Sequence, residues 1–304
     1  MPKIAELDVY PLCLGTNTFG WTSTRAEAFA VLDEYTAAGG NFLDTADAYV
    51  RWAGQGGESE EIIGQWLRES GRRAEVVLAT KVGKLPPHDG LSAEAVSAAV
   101  DASLQRLGVE QIDLLYAHYY DPEHPTDPAI FDRLIRDGKI RTYGLSNHSP
   151  AQVREVLEAA DRAGVARPVA LQPHYNLLLR GEYEGDLQDL TVAEDLAVMP
   201  YYSLAAGLLT GKYDLSAPLA GARAQMAGSY LNERTPAIID AVSGVAQEHN
   251  VEPAAVAIAW LLSQRGITAP IASARTPEQL FPLFEGVSIV LSEEELAQLE
   301  QASA

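Results

Sequence analysis

Asn41-Phe-Leu-Asp-Thr-Ala-Asp-Ala-Tyr49 opens on a short apolar run that stops at Asp44, with a tyrosine five residues further on. Two later runs stop in the same manner. Val76-Val-Leu-Ala-Thr-Lys81 ends on a lysine, and Ile112-Asp-Leu-Leu-Tyr-Ala-His118 ends on a histidine. Runs this short and this apolar read as strands buried on both faces. In a parallel sheet the C-terminal strand ends share one face. An acid, a phenol, an amine and an imidazole are therefore predicted to converge there.

Outward from these runs the chain alternates. Further strand candidates lie at 12–16, 140–145, 169–171, 198–202 and 267–272, making eight in all. Helix-period sequence separates them at 25–38, 59–69, 92–107, 129–136, 150–163 and 186–195. Helices at 236–248 and 253–263 precede the last strand, and two more, 276–284 and 292–302, follow it. Glycines 39, 108, 138 and 164 punctuate helix ends, and Pro150 opens a helix. Helical crossovers force parallel pairing, and eight repeats over 304 residues predict a single (β/α)8 TIM barrel spanning 1–304, with extra helices near the C-terminus.

The formal net charge of −20 sets the chain against nucleic acid and anionic lipid, because its average field repels phosphate. An anionic ligand needs a local positive site. Cys13 is the one cysteine, inside an apolar run, so no internal disulfide forms. The first residues lack the apolar core of a signal peptide, and no run reaches the ~18 apolar residues of a membrane span. A cytoplasmic protein is the expectation. The histidines lack zinc spacing, so no metal site is expected. Oligomeric state is not legible.

All eight strand ends carry polar groups: Thr16, Asp44, Lys81, His118, Ser146 with Asn147, Gln172, Tyr202 with Ser203, and Ser273 with Arg275. Charge abutting a buried run is costly unless paired or facing a cleft. Asp44 and Lys81 alone read as a structural ion pair. Tyr49 beside them suggests an acid, its pKa of about 10 lowered by the ammonium, with His118 orienting a carbonyl oxygen. Hydride must come from a cofactor, since no side chain supplies it. Asn147 and Gln172 suit a carboxamide and Tyr202 a stacked nicotinamide, while Arg275 and Lys212 suit phosphates. Phe19, Trp21, Trp52 and Tyr119 are expected around the barrel mouth, as substrate contacts or loop packing.

These motifs resemble the aldo-keto reductases. The matching segments are Leu14-Gly-Thr16, Asp44-Thr-Ala-Asp-Ala-Tyr49, Gly57-Glu-Ser-Glu60, Ala79-Thr-Lys-Val-Gly83, Ile112-Asp-Leu-Leu-Tyr-Ala-His118, Gly144-Leu-Ser-Asn147, Gln172-Pro-His-Tyr-Asn176, Tyr202 through Lys212, and Ala274-Arg-Thr-Pro-Glu-Gln-Leu280. The resemblance implies reduction of small aldehydes or ketones with NADPH. It makes Tyr49 the general acid, Lys81 and Asp44 its tuning pair, and His118 the carbonyl orienter. Ser146, Asn147 and Gln172 become carboxamide ligands and Tyr202 the stacking ring. Thr16, Asp44, Ser203, Leu204, Ala205, Gly207, Lys212, Ser273, Arg275 and Gln279 complete the implied cofactor site. Leu204, Ser273, Pro282 and Leu283 depart from residues common in the family, which admits NADH beside NADPH. Some members act instead as cofactor-sensing channel subunits, and that regulatory role is the alternative reading.

Overall fold

The computed structural model describes residues 1–304. Eight parallel strands form the barrel: β3 (Cys13–Gly15), β4 (Phe42–Asp44), β5 (Val77–Val82), β6 (Ile112–Ala117), β7 (Ile140–Ser146), β8 (Ala170–Gln172), β9 (Ala197–Val198) and β10 (Ile271–Ala272). They pair in sequence order, and β10 returns to β3. Backbone bonds close the ring: the Ile271 N–H donates to the Pro200 carbonyl at 2.8 Å, and Val198 bridges to Ile267.

Helices α1 (Arg25–Ala37), α2 (Glu58–Ser70), α3 (Ala93–Leu107), α4 (Pro128–Arg136), α5 (Pro150–Ala163) and α6 (Asp186–Ala193) follow the first six barrel strands. Their ends are chemically specified. Thr24 with Glu27 and Ser149 with Gln152 form capping boxes, and Gly108 and Gly164 close α3 and α5 in the left-handed conformation.

Side chains alternate along the strands. Cys13, Phe42, Val77, Ala79, Leu114, Tyr116, Ala170, Ala197 and Ile271 fill the barrel interior. Leu14, Leu43, Leu78 and Leu115 point outward into a larger cluster shared with the helices. An antiparallel hairpin of β1 (Lys3–Ile4) and β2 (Leu7–Asp8) places Ile4, Leu7 and Val9 in the interior cluster. Its two-residue strands carry no readable period.

Three expected boundaries shift, each at a proline. The runs at 198–202 and 267–272 pair as strands only at β9 and β10, since Pro200 and Pro270 have no N–H to donate. The expected helix 276–284 is a 3₁₀ turn, Pro277–Leu280, followed by α10 (Phe281–Ser288). Pro282 fits only the first turn of a helix, so α10 starts afresh there. The long segment after β9 holds a 3₁₀ stretch, Ala205–Thr210, and a short helix, α7 (Ala224–Gly228). Helices α8 (Thr235–His249), α9 (Pro253–Ser263) and α11 (Glu293–Ser303) complete the shell. No helix is long and apolar enough to cross a membrane.

Candidate active site

The C-terminal ends of β4, β5 and β6 bring Asp44, Lys81 and His118 to one side of the barrel mouth, and the turn after β4 returns Tyr49 to them. The Lys81 ammonium is buried and uses all three donors. It reaches Asp44 Oδ2 at 2.6 Å, the Thr45 carbonyl at 2.8 Å and the Tyr49 hydroxyl at 2.8 Å. The Tyr49 hydroxyl in turn donates to Asp44 Oδ2 at 3.2 Å. Asp44 Oδ1 accepts from the Gln172 amide at 2.9 Å.

The electrostatics correct one expectation. The Tyr49 hydroxyl is not acidified; its pKa lies well above 10, because burial and the neighbouring Asp44 carboxylate both disfavour phenolate. Tyr49 holds its proton at neutral pH. The His118 pKa lies well below 6.5, pushed down by burial first and then by Lys81, Lys84 and Arg51. Its ring is therefore neutral, and its Nδ1 is buried with no partner.

Above this cluster lies a cavity of about 1060 Å³. Ser146, Asn147, Gln172, Tyr202, Ser203, Leu204, Gly207, Lys212, Ser273, Arg275 and Gln279 all line it, as the sequence suggested. Thr16, Asp44 and Ala205 do not, and the Asp44 carboxylate is taken up by Lys81, Tyr49 and Gln172 beneath the cavity wall. Thr16 is fully buried and binds the Asp44 carbonyl (2.9 Å) and the Ser59 hydroxyl (2.8 Å), so it supports the strand end from beneath. Ala205 packs into the outer core.

The expected aromatic ring divides. Trp52 lines the cavity, with Trp21 edge-on behind it at 5.5 Å. Phe19 is fully buried in the outer core, off the wall, because the turn at 16–23 folds its apolar ring inward away from water. Tyr119 also lies off the cavity wall, with the Lys84 ammonium 5.7 Å over its ring.

Several wall residues escaped the sequence reading. Tyr201 stacks on His174 (4.9 Å, 21°), and its hydroxyl donates to Asn147 Oδ1 at 2.7 Å. Asn147, itself at φ 58°, turns its amide to the His118 carbonyl (2.9 Å) and Ser146 Oγ (3.0 Å). Arg223, from the periodless segment before α7, reaches Asn17 Oδ1 at 3.0 Å, which also accepts from Ser273 Oγ at 2.9 Å. The doubled tyrosine was the available signal for Tyr201; Arg223 had none.

Lys212, Arg223 and Arg275 face one part of the cavity. Burial and mutual repulsion push the pKa values of Lys212 and Arg223 down. Gly207, at φ 100°, lets the Lys212 ammonium lie where a Cβ would come within 2.5 Å of it. Such a cluster suits a multiply charged phosphate ligand. The amides of Asn147 and Gln172 and the rings of Tyr201 and Tyr202 line the same cavity as this cluster and Tyr49. That donor set fits a nicotinamide dinucleotide.

Fold and site together define a (β/α)8 barrel with a buried acid–amine–phenol cluster at its C-terminal face, beneath one long cavity. The chain belongs to the aldo/keto reductase family, whose model matches residues 11–304. It is 34% identical to an uncharacterized oxidoreductase, YrpG, of Bacillus subtilis, over 96% of this chain and 92% of that one. An aryl-alcohol dehydrogenase of Pestalotiopsis microspora is 31% identical (98% and 79% covered). A probable voltage-gated potassium channel subunit beta of Arabidopsis thaliana is 32% identical (90% and 85% covered).

Proposed function

We propose that the protein reduces aldehydes or ketones to alcohols with hydride from NADPH, Tyr49 acting as general acid. The observation that carries this reading is the Lys81 ammonium held 2.8 Å from the Tyr49 hydroxyl and 2.6 Å from Asp44 on the wall of a dinucleotide-sized cavity. Ser146, Asn147 and Gln172 hold the carboxamide. Tyr201 and Tyr202 offer the aromatic surface, and Lys212, Arg223 and Arg275 hold the phosphates. When bound, the cofactor supplies a hydride to the carbonyl carbon.

The chain's own groups manage the oxygen. His118, kept neutral, donates a hydrogen bond to the carbonyl oxygen and polarises it. As negative charge builds on that oxygen, the Tyr49 proton swings from Asp44 to the substrate. A phenol of raised pKa is wholly in the acid form before this moment. Lys81 then faces the phenolate left behind and stabilises it, while Asp44 keeps the ammonium in place. Bulk water restores the proton after product leaves.

The test is Tyr49→Phe. NADPH titration by fluorescence is expected to be unchanged, while turnover of an aldehyde panel falls about 10²–10⁴-fold. Full turnover by the variant would remove Tyr49 from the acid role. Binding of NADPH no tighter than NADH would count against the cofactor assignment. A cofactor-sensing channel-subunit role is the second reading, favoured by the plant relative. Rapid turnover without any membrane partner separates the two.

A further inference from the structure

Two cations of the cavity wall remain unused by the proposed reaction. Arg51 stands two residues after Tyr49, and Lys84 two residues after the end of β5. Both line the cavity together with Tyr49, Trp52 and His118. Neither takes part in any ion pair of the protein. That is notable in a chain of net charge −20, where acids outnumber bases by 42 to 22.

We propose that this end of the cavity receives a carbonyl substrate bearing an anionic terminus, a carboxylate or a phosphate, with Arg51 and Lys84 as its ligands. The proposal rests on the carbonyl-reductase reading above and names its substrate class.

Three observations carry it. First, the two cations are tied into one unit. An Arg51 guanidinium N–H donates to the Lys84 carbonyl, joining the loop after Tyr49 to the loop after β5. The remaining guanidinium donors are free, and Lys84 has no side-chain hydrogen bond, only the Tyr119 ring beneath it. Second, the acid whose field is felt at Lys84, Asp47, carries only part of its charge near neutral pH. Asp47 is buried, turns Oδ2 to the Gly83 N–H at 3.3 Å, and is half-protonated at about pH 7. Third, the fields of both cations reach His118, whose ring they help hold neutral. Both also share the cavity wall with His118 and Tyr49, so an anion seated on them lies in the cavity that holds the carbonyl position. The phosphate-binding cations Lys212, Arg223 and Arg275 form a separate group, whose mutual repulsion is felt at Lys212 and Arg223. The Lys84 pKa is instead lowered by burial first and then by Lys81 and Arg51, with Asp47 opposing them in part.

The test compares matched pairs at saturating NADPH: carboxybenzaldehyde against its methyl ester, and glyceraldehyde against its terminal phosphate. In at least one pair the charged member is expected to have a kcat/KM about tenfold or more higher, the scale of a charge-assisted hydrogen bond. The pair that responds identifies the anion. Lys84→Met and Arg51→Met should each bring that ratio down toward one. A purely structural role for the Arg51–Lys84 link would instead lower both members equally and leave the ratio alone. Equal kcat/KM within both wild-type pairs, or a ratio unmoved in both variants, overturns the anion site while leaving the reductase reading standing. No turnover of any of the four compounds would remove the reductase reading, and the anion site with it.

Discussion

At the scale of single residues, buried charge decides most of what the site can do. Asp47 sits inside the motif that delivers Tyr49, 1% exposed, with Oδ1 lacking any partner. Burial and the nearby Glu60 raise its pKa to about 7. A carboxyl whose folded pKa is raised costs stability as pH climbs from its unfolded value, near 4, through 7. Asp47→Asn removes that cost while retaining an acceptor for the Gly83 N–H. Urea unfolding at pH 5 and pH 8 is expected to show the variant's advantage over wild type larger at pH 8 than at pH 5 by on the order of a few kcal/mol. An equal gain at both pH values would mean the carboxyl is not buried in charged form. Asp44, Lys81 and His118 were legible in sequence because each terminates an apolar run. The protonation of Tyr49 was not, since it depends on how much water the fold excludes and on which oxygen Asp44 presents. Nor was the position of Phe19, because an apolar ring in a turn reads the same whether it lines a cavity or packs beneath one.

At the scale of elements, the shell is set by close approach between helices. Gly64, on the buried face of α2, faces the end of α3. A Cβ there would come within 2.3 Å of the Arg106 carbonyl oxygen and 2.7 Å of the Leu107 carbonyl carbon. Those are backbone atoms capped by Gly108, so they cannot rotate away. Arg106 also pairs with the buried Glu60 at 2.7 Å, and Glu60 accepts from Thr80 on β5. Gly64→Ala should therefore push α2 from α3 and strain a buried ion pair. The expected loss is about 1–3 kcal/mol despite alanine's better helix propensity, read as a lower denaturant midpoint. A rise in stability would show that the helices separate freely. Helix positions were largely legible, because caps and 3.6-residue periods are local signals. The late strands were overdrawn, since apolar runs do not reveal that Pro200 and Pro270 break the ladder. The hairpin of β1 and β2 was missed because two-residue strands carry no period.

At the scale of the whole molecule, acid stability is a contest between surface charge and buried histidines. Desolvation lowers the pKa of His148 and of His174 to about 4, and that of His118 well below 6.5. Such a group stays neutral in the fold but takes up a proton when unfolded, so its contribution is intact above pH 6.5 and is lost as pH falls toward 4. Asp47 acts oppositely over the same range, but it is one group against three. Each net proton taken up on unfolding costs about 1.4 kcal/mol per pH unit, so several kcal/mol should disappear between pH 6.5 and pH 4.5. The net charge of −20 works against this trend, because partial protonation relieves self-repulsion. Salt separates the two: it screens surface repulsion and leaves buried imidazoles nearly untouched. Unfolding midpoints measured at low and high salt should thus fall on acidification in both, and fall more steeply at high salt. Midpoints that stay level from pH 6.5 to pH 4.5 at high salt would mean that the three imidazoles gain protons in the fold as readily as in the unfolded chain.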